Sequence, residues 1–152
     1  MIPKAFFVTG GKATGKVSKL NAFDLALKNA GIANCNLVQV SSIIPPNCKE
    51  TAPKEIPVGS ITYAVISKAD GMDGRISAGI AWGFAKEKDF GVVAEAYGSI
   101  DEDATRRILN ERIQEMANTR GINLCNVKYR IETLDVPEDH YGCVVVALVY
   151  LF

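Results

Sequence analysis

SITYAVIS (60–67), RISAGIAWGF (75–84) and FGVVAEAY (90–97) are three short runs of β-branched, aromatic and small residues. Gly71-Met72-Asp73-Gly74 and Lys86-Glu87-Lys88-Asp89 separate them. Runs of that length between turn-forming residues read as strands, and their succession predicts an antiparallel meander. Working outward, Ala5-Phe6-Phe7-Val8-Thr9 reads as a first strand ended by Gly10-Gly11, and residues 36–43 as a second. Residues 124–134 and 141–151 read as the last two. In the final run Val144, Val145, Val146, Leu148 and Val149 leave no polar face, so both faces must be buried.

Two helices interrupt the strands. Leu20, Phe23, Leu27 and Ala30 recur at helical spacing, with Asn21 and Asp24 at capping-box positions and Gly31 as the stop. Ser99 and Glu102 form a second capping box, followed by the stripe Ile108, Leu109, Ile113 and Met116 and a stop at Gly121. Pro45, Pro46, Pro53 and Pro57 make the intervening stretch an exposed loop. The order βαββββαββ indicates an α+β fold in which sheet layers are covered by two helices.

The 152 residues suit a single domain with a real core, and the 48% hydrophobic content argues against disorder. Basic and acidic residues balance at 17 each, so charge gives no case for a nucleic-acid or acidic-membrane partner, and a small ligand is expected. Cys35, Cys48, Cys125 and Cys143 are far apart and His140 is the one histidine, a set that does not suggest a metal site. With no basic and apolar leader and no span-length apolar run, a cytoplasmic protein with reduced thiols is expected.

Chemistry enters at Asn36-Leu37-Val38-Gln39-Val40-Ser41-Ser42-Ile43-Ile44-Pro45-Pro46, where a strand delivers two serines into a proline-locked turn. The prolines fix φ and bias Ile44 to extended geometry, so the backbone leaving the serines has little freedom. The Ser42 hydroxyl can attack the Ser41 carbonyl, exchanging an amide for an ester, and elimination across that ester leaves a terminus without an amino group. The bland alternative is a strand that ends in polar residues before a turn. Glu95 lies among apolar and small residues near a strand end, where burial would raise its pKa and suit it to general acid work. An outward-facing strand residue is the competing reading. Asp24, placed in the first turn of its helix, is explained by the helix N-terminus. Asn36 precedes Ser41 by five residues and could hydrogen-bond near it. His140 belongs to a polar turn, and Trp82 reads as core. Gly10, Gly15 and Lys16 match a phosphate-loop spacing, but Val17 stands where a hydroxyl should hold magnesium.

Taken together, Leu20-Asn21-Ala22-Phe23-Asp24, Asn29-Ala30-Gly31-Ile32, Asn36-Leu37-Val38 and Ser41-Ser42-Ile43-Ile44-Pro45-Pro46 resemble the pyruvoyl-dependent arginine decarboxylases. The similarity continues through Pro57-Val58-Gly59, the Glu95 strand and the Gly121 helix end. The resemblance implies self-cleavage between Ser41 and Ser42 into a β chain, 1–41, and an α chain, 42–152, with Ser42 becoming a covalent pyruvoyl group. The chemistry of the residues agrees, since hydrolysis of the eliminated residue releases ammonia and leaves a ketone. It further implies a metal-free and PLP-free decarboxylase that converts L-arginine to agmatine and carbon dioxide through a Schiff base, the first step of polyamine synthesis. By the same likeness Glu95 is the proton donor, Asn36 lies beside the pyruvoyl group and Asp24 receives the guanidinium, a planar cation suited to a carboxylate. The implied architecture is an αββα sandwich of mostly antiparallel sheets, assembled as a homotrimer or a dimer of trimers with sites between subunits. The segment Gly11-Lys12-Ala13-Thr14-Gly15-Lys16 is more basic than its family counterpart, and Ala94 and Ala96 are small neighbours for Glu95. A non-catalytic small-molecule-binding trimer of the same fold and a P-loop-like nucleotide-binding protein are the alternatives.

Overall fold

The apolar C-terminal run forms the centre of the sheet. In the computed structural model, which describes residues 1–152, it is the last part of a single long strand, β7 (Leu124–Leu151). The elements before it are β1 (Ala5–Gly15), α1 (Lys19–Asn29), β2 (Asn36–Gln39), β3 (Ile43–Ile44), β4 (Lys49–Glu50), β5 (Ile61–Ala85), β6 (Gly91–Gly98) and α2 (Glu102–Arg120). They make one curled seven-stranded mixed sheet in the order β3-β6-β5-β7-β1-β4, with β2 pairing β5 off this path. The class is α+β, as the sequence pattern implies. Pairing is antiparallel except for β1 with β4 and β2 with β5. Neither helix is long and apolar enough to cross a membrane.

The meander expectation holds for the second and third runs, which pair antiparallel as β5 and β6, but not for the first and second. Residues 60–67 and 75–84 belong to one continuous strand, and Gly71-Met72-Asp73-Gly74 is a bend within it. The same is true of the two runs that make β7. The two strands pair antiparallel from Ala64↔Val149 to Ala85↔Leu124, with register irregularities at Met72/Gly74 and Trp82/Phe84. At the bend Gly71 faces Gly142. A Cβ on Gly71 would lie 2.6 Å from Ile76 Cγ2, and one on Gly142 2.3 Å from Val136 Cγ2. Each strand therefore turns back over a hydrogen, where no side chain fits. Asp73 and Asp139 supply left-handed backbone nearby, at φ 52° and 59°, which short polar side chains tolerate best among non-glycine residues. Across the fold, Ser67 Oγ donates to the Ala96 carbonyl at 2.9 Å and accepts from Gly79 N–H at 3.3 Å.

Alternation along β7 divides the core. Val146, Leu148 and Tyr150 pack with Phe6, Val65, Ile80, Trp82 and Val93, while Val145, Ala147 and Val149 pack with Phe7 and with Ala22 and Ala26 of α1. On α2, Leu109, Ile113 and Ala117 pack against Ala81, Val92, Ala94 and Ala96. Each large apolar side chain buried this way contributes roughly 1.5–3 kcal/mol. Trp82 is a core residue as expected, and its Nε1 donates to Glu50 Oε1 at 2.9 Å.

Both helix starts differ from expectation. Ser18 caps α1, its hydroxyl accepting from Asn21 N–H at 3.0 Å, so Asn21 and Asp24 form no capping box and Asp24 lies in the second turn. The hydroxyl three residues earlier satisfies the first free N–H groups before Asn21 could. Leu20 is 76% exposed, and Ala22 and Ala26 make the buried face instead. The cause is close approach: a Cβ on Gly11 would meet the Ala26 carbonyl at 2.3 Å, so only small residues fit between helix and sheet. Asp101, not Ser99, caps α2, accepting from Ala104 N–H at 2.8 Å, with Glu102 and Asp103 in the first turn. The carboxylates there complement the helix dipole. Gly121 closes α2 in the left-handed conformation at φ 62°, as the sequence indicates.

The phosphate-loop spacing also dissolves. Gly10-Gly11 does not end β1, and the strand runs on from Gly10↔Val146 to Gly15↔Tyr141 against β7. A strand engaged in a ladder cannot fold into a nest of N–H groups around phosphate.

Gly142→Ala should destabilise the protein by about 1–3 kcal/mol, the usual range for overpacking a filled site. Chemical denaturation would measure this, and a variant as stable as the parent would show that the bend has room to spare.

Candidate active site

The chain from β2 to β3 passes between two parts of the sheet. Val40 N–H donates to the Ala64 carbonyl at 3.0 Å, continuing the pairing of β2 with β5. Two residues later the Ser42 carbonyl accepts from Val93 N–H at 2.9 Å, already at the edge of β6. The Ser41-Ser42 peptide therefore lies at the crossing, with Ser41 exposed, Ser42 half-buried and Ile44 buried as the anchor.

Because β3 is only two residues long, the edge of β6 beyond Val93 has no strand beside it. Arg112 of α2 takes that place at one point, its Nη1 donating to the main-chain carbonyl of Glu95 at 2.6 Å. Between this edge and α2 opens a cleft of about 680 Å³ lined by Ser42, Val93, Glu95, Arg112, Glu115 and Met116 among others. Ser42 and Glu95 thus share one cavity, although 53 positions separate them in the sequence. Glu95 is half-buried, and desolvation raises its carboxyl pKa above the ordinary value, while the Arg112 charge opposes the rise. Burial prevails because the guanidinium is spent on the main-chain carbonyl rather than on the carboxylate.

Glu95 and Tyr97 also border a second cleft of about 530 Å³. There Lys68 Nζ lies 3.4 Å from Asp70 Oδ2 and 4.4 Å from the centre of the Phe23 ring. Burial and the Asp70 carboxylate together push the Cys143 thiol up to about 12, so it is a proton-bearing neighbour and no nucleophile.

The other two expected residues stand apart from these clefts. Asn36, exposed on β2, donates from Nδ2 to the Gly59 carbonyl at 2.9 Å and lines neither cavity. Asp24 is exposed on α1, lines neither cavity and takes part in none of the ion pairs. His140 bonds through Nδ1 to the Glu138 carbonyl at 2.8 Å within the bend of β7.

A serine pair thus lies at a strand crossing, and its second member lines one cleft with a half-buried acid. The family model for pyruvoyl-dependent arginine decarboxylase matches residues 5–152. The chain belongs to that family. It is 36% identical to the pyruvoyl-dependent arginine decarboxylase of Methanopyrus kandleri, covering 98% of this chain and 97% of the relative. The protein of that name from Methanothermobacter thermautotrophicus is 35% identical, with 95% of this chain and 94% of the relative covered. A third, from Methanococcoides burtonii, is 37% identical over 80% of this chain and 72% of the relative.

In this member of the pyruvoyl-dependent arginine decarboxylase family, the residues that sequence reasoning missed are those that reach the site from far away. Arg112, Glu111 and Glu115 face the cleft from α2, where they read only as the polar side of an amphipathic helix. The half-buried Met116 was visible as part of the apolar stripe, but not as cavity wall.

A raised carboxyl pKa means that the fold favours protonated Glu95. Its contribution is fully present below the ordinary value of 4.5 and is lost as pH rises through the higher folded value. Glu95→Gln should therefore be more stable than the parent at neutral pH, with the difference vanishing below about pH 4.5. Melting temperatures across pH 4–8 would test it, and a gap that widened on acidification would refute the buried-acid assignment.

Proposed function

We propose that this chain is a self-processing decarboxylase that acts on L-arginine to give agmatine and carbon dioxide, using a pyruvoyl group made from its own Ser42. The observation that carries the reading is the common cavity of Ser42 and Glu95, in a chain whose family is named for that chemistry. In the processing step the Ser42 hydroxyl adds to the Ser41 carbonyl carbon, the C–N bond breaks, and the amide nitrogen takes up the proton that the hydroxyl gave. Elimination then removes the Cα proton of residue 42 to water as the Cβ–O bond of the ester breaks, forming a Cα=Cβ double bond and leaving a carboxylate on Ser41. Addition of water with loss of ammonia converts residue 42 to the ketone.

The residues present fit that group. The Ser42 carbonyl, which would become its amide carbonyl, already has a fixed donor in Val93 N–H, and Val93, Ala94 and Met116 give the cleft apolar walls. A pyruvoyl group supplies an electron-accepting ketone beside an amide carbonyl. Val93 N–H is placed to stabilise negative charge on that carbonyl oxygen without reorganising. Glu95, kept protonated to higher pH by burial, donates its carboxyl proton to the carbon from which carbon dioxide has left. Arg112 holds the strand edge on which Glu95 stands.

Asp24 and Asn36 are assigned to the site of a neighbouring subunit, with Asp24 accepting the guanidinium. Their exposure, and Asp24's lack of an ion pair, support a site completed across a homotrimer or a dimer of trimers. The αββα reading of the curled sheet is supported by the cross-fold bonds of Ser67 and by the packing of α1 and α2 on separate clusters.

On a denaturing gel the parent should run as two pieces, 1–41 and 42–152, and Ser42→Ala as one intact chain. Normal cleavage of Ser42→Ala after residue 41 would rule out this route. Among variants whose processing is verified by intact mass, Glu95→Gln should lose about 10²- to 10⁴-fold in kcat. Asp24→Asn should raise the arginine KM by about 10- to 100-fold, the worth of a hydrogen bond to a charged group. An unchanged KM at equal stability would return Asp24 to the helix surface.

A further inference from the structure

The backbone around the serine pair is held at three points. Two are main-chain bonds that continue the sheet, Val40 N–H to Ala64 O and Val93 N–H to Ser42 O. The third is a side chain 107 residues away in sequence: Tyr150 Oη donates to the Ile43 carbonyl at 2.8 Å. Tyr150 stands on β7 opposite Phe6 and is 6% exposed. It borders an apolar cavity of about 340 Å³ behind the serines, whose walls include Val40, Ile43, Pro45, Tyr63 and Phe152. A phenol buried in such surroundings needs a partner, and the Ile43 carbonyl is the one it has. Burial and the neighbouring Cys48 thiol both raise the Tyr150 pKa, so the hydroxyl stays a neutral donor.

We infer that Tyr150 is a positioning residue for scission of the Ser41–Ser42 peptide, acting through the Ile43 carbonyl. The inference rests on the self-processing reading above. Val93 fixes the peptide plane that follows Ser42, and Tyr150 fixes the next one. With both planes held, the freedom left to Ser42 is in its own rotations φ, ψ and χ1. Of these, φ and χ1 carry Oγ towards the Ser41 carbonyl carbon. Restricting the rest raises the fraction of time spent in attack geometry, which is where intramolecular reactions gain their rate. Tyr150 touches no reacting atom, so its effect must appear in ester formation and not in the later elimination.

The experiment follows splitting of freshly purified full-length chain by denaturing gel and intact mass, with and without hydroxylamine, which cleaves the ester once formed. Tyr150→Phe keeps the ring and removes one hydroxyl. It should split at least about tenfold more slowly, the kinetic equivalent of one lost hydrogen bond. Hydroxylamine should not restore the rate, because the step before the ester is the slow one. Ile76→Val, a core truncation in the separate cluster with Ala69, Ala78, Val136 and Val144, serves as the stability control and should split like the parent. Splitting of Tyr150→Phe at the parental rate, its full rescue by hydroxylamine, or equal slowing in Ile76→Val would each overturn the inference while leaving self-processing intact. A parent that never splits would overturn self-processing itself, and this role with it.

Discussion

Two glycines that face one another across a strand pair, Gly71 and Gly142, decide where the other elements go. β5 and β7 are paired along most of their lengths, and both fold back at this point because neither carries a Cβ there. Everything attached to the first half of β5 and the last part of β7 lies on one side of the bend: β1, β2 and α1. β6, β3 and α2 attach to the other. The chain between β2 and β3 must therefore cross from one side to the other within residues 40–42, and the serine pair is that crossing. The position of the candidate scissile bond is thus a consequence of a bend thirty residues later in the chain.

The same geometry gives the cleft its chemistry. A two-residue β3 anchors Ser42 beside Val93 and then leaves the β6 edge open, so Glu95 faces a cavity instead of another strand. An open edge carbonyl needs a donor, and Arg112 supplies one. Had that guanidinium reached the Glu95 carboxylate instead, the ion pair would have lowered its pKa and removed the acid. Burial from the sheet and the direction of one arginine together leave the Glu95 pKa above its ordinary value.

The sequence made legible what depends on local pattern. The apolar C-terminal run, the Leu109 and Ile113 stripe, the Gly121 stop and the pairing of β5 with β6 all follow from periodicity and turn chemistry. The two continuous strands were not legible, because Gly-Met-Asp-Gly has the composition of a hairpin turn. Only the partner some seventy residues away shows that the chain bends without leaving its ladder. The start of α1 and the nature of its buried face were hidden for a similar reason. They depend on Gly11 letting the helix come close, which Leu20 and Phe23 do not reveal. Ser42 and Glu95 were both singled out and do share a cavity, whereas Asp24 and Asn36 lie outside it in one chain. Arg112 and Tyr150 carried no signal, since each acts through a main-chain carbonyl far away in sequence.

A cut at the crossing is compatible with the fold because the segment on either side is already secured elsewhere. Residues 1–41 would keep β1 paired with β7 along its length and with β4 at its start, and β2 paired with β5. Phe6, Phe7, Ala22 and Ala26 would remain buried under the same partners. The new end at residue 42 would stay between Val93 and Tyr150, through the carbonyls of Ser42 and Ile43. Severing the chain would release conformational freedom only for the few residues next to the break, since the rest is fixed by pairing and burial on both sides. A scissile bond placed inside β1 or β7 would instead break a ladder and expose the core. The crossing is therefore a place where the backbone can be opened with its hydrogen bonds kept, and the strands on each side hold the pieces in register without the covalent link.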